Sequence, residues 1–196
     1  PTPHPSRAFA YLLLTLTVLF WSGNWVVGRW IRDDVPPIAL SFWRWAIAFA
    51  CLLPWAWPHL RAQWRETLAH WKVLAMLGLF GGACHNALTY TGLAHTTATN
   101  GVLLASATPI MIIGLSWALF GKRLRPLEWL GVMVSLAGIV AIVAQGDPAR
   151  LLELRPNAGD LWVLAAMLFW ALYTVLLARR PPVLHALSFL AAITLW

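Results

Sequence analysis

The amino-acid sequence predicts an all-α, polytopic membrane protein, and three observations carry that expectation. Hydrophobic residues make up 60% of the chain and charged residues only 11%, against about 25% charged in soluble domains. The mean hydropathy is +0.69. The apolar residues gather into successive runs long enough to cross about 30 Å of hydrocarbon at 1.5 Å per residue. Apart from Arg44, the basic residues lie in or beside the short connections. The formal charge of +7 therefore lacks the clustered patch that nucleic-acid binding needs, and no nucleic-acid partner is expected.

Six runs qualify: Ala8 to Ile31, Pro36 to Trp57, Lys72 to Leu93, Thr97 to Phe120, Pro126 to Ala144 and Asp160 to Ala178. The first is too long for a signal-peptide core and has no small-residue cleavage pattern, so it reads as a span. Pro109 in the fourth is expected to kink the helix and free carbonyls. A seventh run from Val183 to Trp196 reaches only about 20 Å as a helix, short of a crossing. The chain begins without methionine and stops inside that run, so it reads as a fragment. Helices are required because lipid offers free backbone groups no partner, and the runs lack the ten-residue alternation of a membrane barrel. The 14 tryptophans suit the two water boundaries of a bilayer. Cys51 and Cys84 lie inside apolar runs without CxxC or metal spacing and read as small hydrophobes; no metal or cofactor is expected.

Orientation follows from the Lys and Arg count. With the N-terminus inside, inner segments hold nine basic residues (Arg7, Arg61, Arg65, Lys72, Lys122, Arg123, Arg125, Arg179, Arg180) and outer segments four (Arg29, Arg32, Arg150, Arg155). That bias favours a cytoplasmic N-terminus in a bacterial inner membrane.

An internal repeat is visible. Leu19-Phe20-Trp21 in the first span recurs as Leu168-Phe169-Trp170 in the sixth, and at the same offset Leu12 matches Leu161 and Val26 matches Val175. Further on, Ala39-Leu40-Ser41-Phe42 after Pro36-Pro37 recurs as Ala186-Leu187-Ser188-Phe189 after Pro181-Pro182. An odd number of spans separates the copies, so the second enters the membrane from the opposite side, an inverted repeat of the kind used by secondary carriers.

These residues resemble the EamA-type family of the drug/metabolite transporter superfamily. The resemblance rests on Leu19-Phe20-Trp21-Ser22-Gly23-Asn24, Arg44, Asn100-Gly101, Thr108-Pro109, Gly121-Lys122-Arg123-Leu124, Gly131, Ala137-Gly138, and Gly159-Asp160 with Leu168-Phe169-Trp170-Ala171-Leu172-Tyr173. Lys122 stands where the family often has Glu, on an expected cytoplasmic surface. The resemblance implies a ten-helix inverted-repeat carrier of which about six and a half helices are present. Residues 8–144 would form the first five-helix repeat and 160–196 the truncated start of the second, whose remainder is the expected partner. It also implies a small-molecule exporter.

Candidate site residues follow from polarity inside the spans. All seven acidic residues, Asp33, Asp34, Glu66, Glu128, Asp147, Glu153 and Asp160, fall in loops or at span ends, so a proton-coupling carboxylate within the membrane is absent from the sequence. Arg44 lies about 12 Å from the outer end of its helix. It reads either as a snorkelling residue that caps carbonyls or pairs with Asp33-Asp34, or as a gate or anchor for anionic groups. In the third span Gly78, Gly82, His85, Thr89 and Gly92 share one helical face. That face reads as a packing surface or, with Asn86 and Tyr90, as a cavity wall. Thr17, Trp21, Asn24 and Gly28 make a parallel stripe on the first span, with Trp170 and Tyr173 as repeat equivalents of Trp21 and Asn24. The two tryptophans suit either packing or a substrate platform. Such a lining fits neutral, aromatic or amphipathic metabolites such as amino acids. The sequence holds no motif for hydrolytic or phosphoryl-transfer chemistry; a channel, a scaffold and an intramembrane enzyme stand as alternatives.

On this topology, single cysteines placed in the 59–71 segment or the Lys122 to Arg125 loop resist an impermeant thiol reagent added outside intact cells. Strong labelling of either would reverse the orientation.

Overall fold

Every apolar run of the sequence is helical, and the departures from ideal helix are as informative as the helices. The computed structural model describes residues 7–31, 33–122, 125–144, 147 and 157–195. Arg32, Arg123, Leu124, Arg150, Glu153, Arg155 and Trp196, which entered the sequence readings, lie outside the described residues.

The elements are α1 (Arg7–Trp30), α2 (Pro37–Ala62), α3 (Trp64–Ala69) and α4 (Trp71–Gly78), then a π-helical turn (Leu79–Cys84) leading without a break into α5 (His85–His95). There follow α6 (Ala98–Ala105), α7 (Thr108–Phe120), α8 (Pro126–Ala144) and α9 (Ala158–Leu176), then a 3₁₀ turn (Leu177–Arg179) and α10 (Ala186–Leu195). Among the described residues there is no strand. Five stretches are long and apolar enough to span a bilayer: Ala8–Trp30, Pro37–Ala62, Trp71–His95, Thr99–Phe120 and Ala158–Arg179. The chain is a multi-pass membrane protein. The fifth expected span is present as α8, exposed along most of its length.

Local chemistry sets the ends. Proline at the first turn of α2 forfeits no hydrogen bond, because the leading N–H groups have no intrahelical acceptor. α2 continues past Trp57, where the apolar run ends, through Pro54 and Pro58 to Ala62; hydropathy marks the edge of lipid contact, not of backbone pairing. The expected kink at Pro109 is a full break at Ser106–Ala107, with Pro109 in the first turn of α7. A proline ring clashes with the carbonyl four residues back, which here belongs to Ala105. Thr108 Oγ1 donates to that carbonyl at 2.6 Å, and Ser106 Oγ donates to Leu103 O. Gly121 closes α7 in the left-handed region, φ 64°, where glycine carries no Cβ penalty. Asn157 and Asp160 form a reciprocal capping box at the start of α9, which satisfies two of the leading donors.

α9 is the central post. It packs against α5, α6 and α7, while α10 lies against α2 and α4. One apolar cluster joins Leu74 and Leu77 of α4 to Leu176, Leu184, Phe189 and Ala192; another gathers Val163, Ala166 and Met167 against Trp25, Leu88, Leu104 and Met111. Where α5 meets α9 the backbones nearly touch: a Cβ on Gly159 would lie 2.7 Å from Gly92 O, and one on Gly92 2.6 Å from Val163 Cγ2. Beside them Thr96 Oγ1 donates to Asp160 Oδ1 and accepts from Asn157 Nδ2 at 3.1 Å, while Arg29 donates to Leu93 O. At the other end Gln63 Nε2 donates to Val183 O and its Oε1 accepts from His185 N, both 2.9 Å.

Gly159→Ala must therefore push two backbones apart. We expect it to destabilise the detergent-solubilised protein by about 1–3 kcal/mol. Gly23→Ala, whose added Cβ meets nothing within 4 Å, should stay within about 0.5 kcal/mol. Thermal unfolding of the two variants side by side checks both.

Candidate functional site

The π-helical turn in the third span organises the polar residues around it. One extra residue per turn shifts the register, so the regular stripe expected of that span is interrupted. Gly78, His85, Thr89 and Gly92 are buried, but Gly82 is half-exposed and Gly81 takes the packing position. A Cβ on Gly81 would fall 2.6 Å from the Tyr173 ring, whereas at Gly82 the nearest atom is Trp45 Cε2 at 3.9 Å. The packing glycine is thus Gly81, a correction that no reading of period 3.6 could supply. Asn86, the second residue of α5, sends Nδ2 back to Gly82 O at 2.8 Å.

That anchor fixes the Asn86 carbonyl oxygen as an acceptor for Arg44. The guanidinium donates through one terminal nitrogen to Asn86 Oδ1 and through the other to Asn24 Oδ1 at 3.1 Å. Tyr90 Oη donates to the same Asn24 oxygen at 2.6 Å. The charge also lies 5.0 Å from the Trp45 ring centre and 5.7 Å from that of Tyr90, within cation–π range. Arg44 therefore turns into the bundle; the alternative of snorkelling toward the Asp33-Asp34 loop is not what the structure shows. Its hydrogen-bond partners among the described residues are neutral amide oxygens. Among the described residues, Arg44 Nε and Trp45 Nε1 are buried without a hydrogen-bond partner.

An aromatic wall stands next to this network. Trp21 and Trp170 meet at 5.2 Å between ring centres, Trp170 and Tyr173 at 5.2 Å, and Trp170 and His85 at 4.8 Å. His85 Nδ1 lies 3.1 Å from Ala166 O; a carbonyl only accepts, so Nδ1 carries the proton and the other ring nitrogen is left as an acceptor in the neutral ring. A chamber of about 170 Å³ on one side of the wall is lined by Arg44, Trp45, Gly81, Gly82, Asn86 and Tyr173, with Trp21, His85 and Trp170. Those last three also line a larger apolar chamber of about 590 Å³ with Val18, Trp25, Val102, Pro109 and Met167. The π turn thus borders the smaller chamber and the helix break before Pro109 the larger one, with Trp21, His85 and Trp170 common to both.

Of the nine sequence-derived candidates, Trp21, Arg44, His85, Asn86, Trp170 and Tyr173 line the smaller chamber. Asn24 and Tyr90 line neither chamber and act through Arg44. Thr89 is buried and donates to its own helix at His85 O, 2.7 Å away; it lines neither chamber, because the carbonyl four residues back takes its hydroxyl. Sequence reasoning missed Trp45 and Trp25, which carried no spacing signal among so many tryptophans.

A multi-pass helical bundle with a small chamber walled by aromatics and a few polar side chains between its spans has the build of a membrane transporter. The chain belongs to the EamA-like transporter family, whose model matches residues 8–144. It is 30% identical over 171 residues to an uncharacterized transporter of Archaeoglobus fulgidus, covering 85% of this chain and 56% of that one. It is 25% identical over 169 residues to the uncharacterized transporter YyaM of Bacillus subtilis, covering 85% and 54%. The chain thus spans about half the length of the curated relatives it matches. No solved structure gives a significant match.

Asn86→Leu strands one arm of a guanidinium at membrane depth. We expect a loss of about 1–3 kcal/mol, while Tyr90→Phe, which leaves Asn24 and Arg44 paired, costs about 1 kcal/mol. Thermal melts of both variants and of the double variant measure the coupling.

Proposed function

We propose that the chain is part of a secondary carrier that exports small amphipathic metabolites, amino acids among them, across the bacterial inner membrane by alternating access. The observation that carries this reading is the ring pair Trp21–Trp170. These residues are equivalents in the sequence repeat, one on α1 and one on α9. In an inverted pair of units related by a two-fold axis in the membrane plane, a residue near the axis meets its own counterpart. Carriers of that architecture hold substrate at the repeat interface, beside interrupted helices whose backbone lines the cavity. Here the interface holds the Arg44 chamber, which the π turn borders, while the break before Pro109 borders the larger chamber that shares Trp21, His85 and Trp170 with it.

The reading accounts for the rest of the candidate site. Asn24, Asn86 and Tyr90 hold Arg44 in one pose, and Trp21, Trp170 and Tyr173 offer flat apolar faces to a substrate body. His85, shared by both chambers, sits where a substrate would pass from one to the other.

Radiolabelled amino-acid flux into proteoliposomes holding the full-length protein tests the proposal. Saturable flux with counterflow is expected, and His85→Ala or Arg44→Ala should each lower it by about tenfold or more while the protein still reaches the membrane. Flux that rises without saturation would favour a channel.

A further inference from the structure

The end of α2 carries His59 and, four residues on at its C-terminal cap, Gln63, a spacing that sets both on one face. Against that face lies the segment that enters α10. Gln63 Nε2 donates to Val183 O and its Oε1 accepts from His185 N, while the rings of His59 and His185 stack, 3.8 Å between centres and 8° from parallel. His185 immediately precedes α10 and caps it: its carbonyl accepts from Phe189 N at 2.9 Å, and its Nδ1 accepts from Leu187 N at 3.3 Å. One of the leading N–H groups of the helix is satisfied in this way. Between the two contacts with Gln63, Leu184 is buried in the apolar cluster of Leu74, Leu77 and Phe189. Neither histidine lines the chambers of the candidate site.

This contact depends on protonation. Nδ1 of His185 accepts a hydrogen bond, so it carries no proton and the ring is neutral. A proton that charges His185 must therefore go to Nδ1, because the other nitrogen holds the one that the neutral ring already has. It removes the acceptor from Leu187 and leaves a cation at the positive N-terminal end of α10. A further proton on His59 sets two like charges face to face at 3.8 Å, where they repel. Imidazole is the side chain whose charge changes between about pH 5 and 8. The other charged and titratable groups at this end are Arg61 of α2, Arg65 and Glu66 of α3, His70 and Lys72 at the start of α4, and Arg179 and Arg180 ahead of the segment. Cations outnumber the one carboxylate of that set, so the surroundings oppose a doubly charged pair. We propose that His59 and His185 form an acid-released clasp, closed while His185 is neutral and opened when both rings are protonated, so that the pH at this end of the bundle sets how freely α10 moves against α2. The inference rests on the carrier reading only for its meaning in transport.

Ser188, in the first turn of α10 and fully buried, offers a reporter of the opening. The full-length protein, with its native cysteines replaced by alanine and with Ser188→Cys, is placed in phosphatidylcholine nanodiscs and treated with N-ethylmaleimide. Each rate is divided by that of glutathione at the same pH, which cancels the change in thiolate fraction. From pH 7.5 to pH 5.5 the normalised rate should rise at least about tenfold, a change of about 1.4 kcal/mol in the opening equilibrium. His59→Phe keeps a flat ring that cannot charge, and His185→Asn keeps a capping acceptor that cannot charge. Made separately, each should cut the rise to about threefold or less. A parent protein whose normalised rate stays flat over that range overturns the clasp, and that comparison needs neither histidine variant to fold. A rise undiminished in both variants overturns it too, by placing the acid response on another group. The labelling needs no substrate: flat labelling in a protein with saturable flux sinks the clasp and spares the carrier, and acid-released labelling without saturable flux does the reverse.

Discussion

In hydrocarbon a backbone carbonyl has no water to turn to, and this constraint shapes the molecule from end to end. It compels helices across each apolar run, and it requires every departure from regular helix to be repaired by a nearby side chain. The repairs are specific. Thr108 covers Ala105 O at the break before Pro109, and Asn86 covers Gly82 O at the π turn. At the membrane edges, Asn157 and Asp160 cap α9. Each of the two departures borders one of the two chambers, so Asn86 lines the smaller and Thr108 the larger.

Arg44 is where that repair meets charge. An arginine within a span is costly, about 2.5–3.5 kcal/mol at mid-helix on insertion scales, and persists only where partners are fixed in advance. Here the π turn sets Asn86, and Gly28 lets Tyr90 close on α1: a Cβ at Gly28 would lie 2.7 Å from the Tyr90 ring. Tyr90 then holds Asn24. Three spans thereby converge on one guanidinium.

The post at the centre of the bundle, α9, is the helix that restarts the sequence pattern of α1. Its contact with α5 depends on two glycines at one end, and the tie between Gln63 and the 183–185 backbone secures the other. α9 and the segment after it are thus held at both ends, while Trp21 meets Trp170 through a ring contact.

The sequence by itself determined the membrane class, the order of the helices, the family and most of the polar residues that gather at the site. Long apolar runs admit only one backbone solution, and a polar side chain inside one must find a partner or a cavity wherever it lies. Arg44, His85, Asn86, Trp170 and Tyr173 could be named on that ground. The tertiary structure alone decided how they meet. The extra residue in the π turn moved the packing glycine from Gly82 to Gly81, and Thr89 was lost to its own helix. Arg44 faced inward because Asn24 and Asn86, 62 positions apart, lie on either side of it. A periodic pattern carries the phase of a regular helix only as far as the helix stays regular. Which neighbour satisfies a charge depends on helix pairings that no local spacing encodes.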